Sequence, residues 1–225
     1  MTAQWRRFPA VLHFAVGLVG ALVYWIAAEL WPTSIAVVLA MLATVLSSAS
    51  LAWLASPGGR SDPGAGSDSD SGQRSGSGSG LGLSARSVGV YAMFFLLIKY
   101  NALMALSAAR SPFLLPEHLT LGWIMVSGHA ASRALVVSVM ATHPPAVDRV
   151  GTVELGVALV LGLAPAAMLG IPGLIGLAAA IAARQALCAF VLPRFTAPLP
   201  ERLDFTQQLT EICFYLGALA SWKYV

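Results

Sequence analysis

Apolar residues in this chain come in blocks about 20 residues long, divided by short gaps that hold proline, glycine and charge. A bilayer core of about 30 Å takes roughly 20 apolar residues of helix, so blocks of this length read as membrane spans. One stretch breaks the pattern. From Ser56 to Arg86 the chain is largely glycine and serine and has no long apolar run, which marks an aqueous loop. Composition agrees, since 57% of residues are hydrophobic and 10% charged, against about 25% charge in a water-soluble domain. Mean hydropathy is +0.76. The expected fold class is all-α: a polytopic transmembrane helical bundle that forms one membrane domain over residues 1–225.

Seven spans are expected, at about 9–30, 33–55, 88–108, 119–140, 152–169, 171–192 and 207–222. Pro32, Pro112, Pro116, Pro144, Pro145, Pro172 and Pro198 fall in or beside the gaps, where proline ends a helix without breaking a buried ladder. Trp31, Trp53, Trp123 and Trp222 sit near span ends, as an interfacial aromatic belt would place them. Pro165, Gly170, Pro172 and Gly173 offer an alternative for the fifth and sixth spans, a kinked or re-entrant segment covered by protein. The run after Trp5-Arg6-Arg7 is too long for a signal peptide and reads as a retained first span.

Charge placement sets the orientation. With the amino terminus cytoplasmic, Arg6, Arg7, Arg60, Arg74, Arg86, Arg149, Arg194 and Arg202 share the cytoplasmic side. Only Arg110 and Lys223 fall opposite, which satisfies the positive-inside rule and puts the 56–86 loop in the cytoplasm. That loop, with its Ser-Gly repeats at 75–80, buries nothing to offset ordering entropy and reads as a flexible linker. Asp62, Asp68 and Asp70 on so loose a segment would make only a weak cation site. The sequence pI near 9.1 comes from scattered cations without interleaved aromatics, so nucleic acid is not an expected partner. Cys188 and Cys213 lie in apolar runs and read as inert buried thiols.

Within the spans, two cations stand deep: Lys99 mid-way along the third and Arg133 well inside the fourth. A cation at mid-bilayer costs about 2.5–3.5 kcal/mol on insertion scales, so it faces a partner or a wet cavity. His129 precedes Arg133 by one helical turn and shares its face. Lys99, Arg133 and His129 are therefore candidates for one positive pocket, with a phosphate-bearing ligand its natural partner. Arg184, near a span end, reads instead as a side chain that snorkels to the interface. A second cluster comprises Glu201, Arg202, Asp204, Gln207, Gln208 and Glu211. On a helix that begins near Asp204, that residue would be an N-cap and Gln207 and Glu211 would share a face.

Four islands in this order resemble the cobalamin synthase family, adenosylcobinamide-GDP ribazoletransferase. They are Phe8-Pro9 with the glycine-spaced helix Val16 to Trp25; Ser87-Val88-Gly89-Val90 leading to Lys99; Ser132-Arg133; and Gln207-Gln208-Leu209-Thr210-Glu211. The resemblance runs over nearly the whole chain. It implies a magnesium-dependent transferase of the bacterial inner membrane, which joins α-ribazole or its phosphate to adenosylcobinamide-GDP and releases GMP. It also implies phosphate binding by Lys99, Arg133 and His129, and Mg²⁺ held by Glu201, Glu211 and Asp204. The expected partners are membrane lipid, the two small-molecule substrates, and a second copy or other cobalamin-assembly proteins.

The chain departs from the family where acids are concerned. The family's acidic signature after the second span is replaced by Ser50-Leu51-Ala52-Trp53-Leu54-Ala55-Ser56, with no carboxylate. The family's Asp-Ser-Arg before the third span is replaced by Gly82-Leu83-Ser84, and its Gly-Asp-x-x-Gly-Ala motif by Pro200-Glu201-Arg202-Leu203-Asp204-Phe205. The family's amino-terminal Thr-Arg-Leu-Pro segment is also missing. A non-catalytic relative acting as scaffold or ligand-binding subunit is therefore the alternative reading. Cations inside a bundle of Gly/Pro-broken helices also suggest a small transporter, although no inverted repeat supports it.

Overall fold

The structure is a computed structural model that describes residues 9–55, 85–109, 116–142, 151–194, 199–222 and 224. Among them are seven α-helices and no strand: α1 Pro9–Leu30, α2 Thr33–Ala55, α3 Ala85–Ala108, α4 Glu117–Thr142, α5 Thr152–Met168, α6 Gly170–Ala186 and α7 Leu199–Trp222. After Ala186, α6 continues as a π turn over Leu187–Val191 and a 3₁₀ turn over Leu192–Arg194. Most of the Gly/Ser-rich loop expected at 56–86, with Asp62, Asp68 and Asp70, lies outside the described residues, as do Arg110 and Arg149.

Among the described residues, three segments are long and apolar enough to cross a membrane: Val90–Ala108, His118–Thr142 and Gly170–Val191. Phe14–Leu30, Thr33–Ser48 and Thr152–Met168 are shorter apolar helices. The polarity of the bundle is inverted relative to a soluble protein. Large apolar side chains point outward, with Met93 at 75% and Met168 at 72% exposure, while Lys99 is 4% and Glu211 1% exposed. Water would penalise that outer face, whereas hydrocarbon solvates it, so the arrangement fits a helical membrane protein.

Helix α4 is the centre of the bundle and packs against α1, α3, α5, α6 and α7. Contacts between named residues fix the relative directions. Trp25 meets Trp123 while Gly17 lies against the His129 ring, so α1 and α4 are antiparallel. Tyr215 reaches the Met125 carbonyl while Glu211 lies beside His129, so α7 also opposes α4. Phe95 packs on Phe205 and Lys99 meets Glu211, which makes α3 parallel to α7. Arg202 bonds the Leu192 carbonyl while Gly217 lies on Gly176, so α6 and α7 are antiparallel.

The sequence offered two forms for 152–192, and the structure has two helices that meet at Leu169. Gly170, at φ +61°, takes the left-handed conformation that lets the chain turn there, which a side chain would resist. Pro165 stays inside α5. The start of α7 differs from expectation. The helix begins at Leu199, not near Asp204, so Asp204 lies in its second turn and is not an N-cap. Pro200 is compatible with a first helical turn, whose N–H groups have no intrahelical partner, and Glu201 places negative charge at the positive end of the dipole.

The α6–α7 contact depends on absent side chains. A Cβ on Gly176 would stand 2.7 Å from the Phe214 carbonyl oxygen, and backbone cannot swing away as a side chain can. Gly176→Val should therefore destabilise the bundle by about 1–3 kcal/mol. Thermal unfolding of the purified protein in detergent would measure the loss.

Candidate functional site

Helices α3, α4 and α7 each contribute to one buried polar cluster. Lys99 Nζ donates to Glu211 Oε1 at 2.7 Å, with both side chains almost wholly enclosed. The Tyr215 hydroxyl donates to the same oxygen at 2.8 Å and lies 3.3 Å from the Met125 carbonyl. His129 Nδ1 stands 3.7 Å from Glu211 Oε1, beyond hydrogen-bond range. The Lys99 ammonium also lies 5.8 Å from the Tyr215 ring centroid, where the π face adds a weak attraction.

Helix periodicity explains the convergence. On α7, Gln207, Glu211 and Tyr215 recur every fourth residue and so occupy one face. On α4, Met125, His129 and Arg133 do the same. Because the two helices are antiparallel, the faces meet as rungs, with Tyr215 at Met125 and Glu211 at His129. Arg133 continues the series toward the start of α7, within electrostatic reach of Asp204 as well as Glu211. Gly128 makes room for this contact, because a Cβ there would stand 2.5 Å from Tyr215 Cε1.

Several polar atoms in the cluster have no hydrogen-bond partner. Glu211 Oε2, both His129 ring nitrogens, Ser127 Oγ and Arg133 Nε are all buried and unpaired. Native proteins leave few such atoms, and each one asks for a water, an ion or a ligand. A small cavity of about 10 Å³, enough for roughly one water, opens beside Arg133. Phe14, Ala130, Ala134, Ala158, Leu161 and Gly162 complete its wall, which places it between α1, α4 and α5.

The six residues singled out from sequence do not all meet. Lys99, His129 and Glu211 form the core of the cluster, and Arg133 lies one turn away from it. Glu201 and Asp204 are exposed near the start of α7. Ten residues of helix put Glu201 about 15 Å from Glu211 along the axis, and seven put Asp204 about 10 Å away. Mg²⁺ binds oxygens at about 2.0–2.1 Å in near-octahedral geometry. Glu201, Asp204 and Glu211 therefore do not fit one Mg²⁺ ion, and Glu211 Oε1 is already engaged by Lys99 and Tyr215. Among the described residues no group of three or more His, Cys, Asp or Glu could hold a metal.

Two further assignments become concrete. Arg184 does not simply reach for the interface. Its Nη2 donates to the Ser138 carbonyl at 3.2 Å and to Thr142 Oγ1 at 3.0 Å. The guanidinium thus closes the carboxyl end of α4, where the helix dipole favours a cation. Cys188 and Cys213 are free thiols, half-buried and not fully enclosed. Tyr215 was missed from sequence, although its spacing of four from Glu211 was the available signal.

No family model matches the chain, and no solved structure matches it. Among curated proteins, it is similar to the adenosylcobinamide-GDP ribazoletransferase of Ralstonia nicotianae. The two are 28% identical over 228 residues, which takes in 96% of this chain and 84% of that protein. The likeness covers most of both chains and is distant. It supports the cobalamin-synthesis transferases as the general group that this chain resembles.

The Tyr215 hydroxyl bonds a charged acceptor, and both residues are buried. Tyr215→Phe should cost about 1.5–3 kcal/mol of stability while leaving packing volume nearly unchanged. Arg184→Ala, which uncovers the end of α4, should cost about 0.3–1 kcal/mol. Chemical or thermal unfolding in detergent would rank the two.

Proposed function

We propose that this chain is a membrane-embedded transferase that joins α-ribazole, or its phosphate, to adenosylcobinamide-GDP with release of GMP. The observation that carries this reading is the alignment over 96% of the chain with a protein named for that activity. In the reaction, a ribazole hydroxyl oxygen attacks the phosphorus attached to adenosylcobinamide. The bond from that phosphorus to the bridging oxygen breaks, GMP leaves with the electron pair, and the hydroxyl proton is released. Little covalent work falls to the protein, so positioning and charge neutralisation dominate.

Arg133 is suited to that role, because its guanidinium makes no hydrogen bond to any described residue and can take two phosphate oxygens in parallel. His129 stands one turn away with both ring nitrogens unpaired. In this reading all seven helices cross the inner membrane of a bacterial cell with the amino end cytoplasmic. The alternating directions of α1, α3, α4, α6 and α7 support that path. It puts Arg133, Asp204 and Arg184 toward the cytoplasmic face, where a soluble nucleotide-bearing substrate would arrive. The three acids on α7 are spread along about two to three turns of helix and do not share one Mg²⁺ ion.

A non-catalytic relative is the second reading. It is favoured by the missing acidic signature at Ser50–Ser56 and by the scatter of Glu201, Asp204 and Glu211. One assay separates the two. Protein reconstituted in liposomes with adenosylcobinamide-GDP, α-ribazole and Mg²⁺ should release GMP, and Arg133→Gln should slow release by about 10- to 100-fold. Zero GMP across magnesium concentrations, with nucleotide binding retained, would select the scaffold.

A further inference from the structure

We propose that the two deep cations have separate jobs: Lys99 is the fixed counter-ion of Glu211, and Arg133 alone receives a phosphate, at the crevice between α1, α4 and α5. This inference rests on the phosphate-handling reading above and divides its labour. The family resemblance groups Lys99 with Arg133 as phosphate binders and sets Glu211 aside for metal.

The surroundings of the two cations differ in kind. Lys99 is 4% exposed, donates at 2.7 Å to Glu211, and is backed by the Tyr215 ring. To take a phosphate it would have to leave Glu211, whose carboxylate would then be buried without a counter-charge. That exchange is strongly unfavourable where both side chains are almost wholly enclosed. Arg133 has no such commitment. It is only partly buried, pairs with neither Asp204 nor Glu211, and has a buried Nε without a partner. The cavity beside it is walled by Phe14, Ala130, Ala134, Ala158, Leu161 and Gly162, and would hold one water. A phosphate would therefore seat at its mouth, against the guanidinium.

A phosphate ester at this position could belong to a nucleoside diphosphate or to a lipid headgroup, so the test uses both. The full-length protein in neutral detergent is titrated with GDP and, separately, with phosphatidylglycerol, and thermal stabilisation is read. Arg133→Gln should weaken stabilisation by the effective probe at least about tenfold. The paired variant Lys99→Met with Glu211→Gln should bind that probe within about threefold of the unmodified protein. Lys99→Met alone should lower the unfolding midpoint by about 10 °C, and adding Glu211→Gln should recover most of it. If the paired variant does not fold, the exchange Lys99→Glu with Glu211→Lys serves the same comparison.

Loss of probe binding in the paired or exchanged variant, with Arg133→Gln unaffected, would overturn the division. An unchanged midpoint for Lys99→Met would also overturn it, as would the absence of stabilisation by either probe. Stabilisation by phosphatidylglycerol but not GDP, still dependent on Arg133, would support the division while removing the transferase reading.

Discussion

A lysine and a glutamate from helices far apart in sequence meet inside a hydrophobic bundle, and the rest of the interior is arranged around that contact. Lys99 on α3 and Glu211 on α7 are 2.7 Å apart and almost wholly enclosed. Either charge alone would be costly there. Together they cancel, and the Tyr215 hydroxyl takes up further acceptor capacity on the carboxylate. The pair fixes the register of α3 against α7, because sliding either helix by one turn would separate the charges by about 5 Å.

The pair also defines the chemistry left over. With Lys99 and Glu211 engaged to each other, the groups still open in the cluster, among the described residues, include the His129 imidazole, the Arg133 Nε and the second oxygen of Glu211. Those atoms lie along the α4–α7 seam, which runs from the buried pair toward the amino end of α7. Carboxylates near that end, Glu201 and Asp204, are exposed. A charge gradient thus runs along one seam: neutralised deep inside, cationic midway at Arg133, acidic where α7 begins.

Much of the fold was legible in the sequence, for a physical reason. Helix length in a bilayer follows from hydrocarbon thickness, so apolar block length and the positions of Pro32 and Pro116 already bounded α1, α2 and α4 closely. The start of α7 was less visible. Leu199 to Phe205 mixes charge with apolar residues and carries two nearby prolines, so composition alone gave no reason to extend the helix back past Asp204. The site was legible in its members but not in its pairings. The cost of burial singled out Lys99 and Arg133 one by one, yet which carboxylate answers which cation depends on the crossing of α3, α4 and α7. Local periodicity contains nothing about a contact that spans 112 residues of chain.

The likeness to a ribazoletransferase and the interior geometry therefore inform different levels of the account. The former bears on the class of molecule handled, the latter on which side chains are free to handle it. The most direct test of the central contact is the infrared spectrum of the purified protein against that of Glu211→Gln. The account predicts that the substitution removes an ionised-carboxylate band, and that Lys99→Met shifts that band. Loss of a protonated carboxylic-acid band instead, with no response to Lys99→Met, would contradict the ion pair.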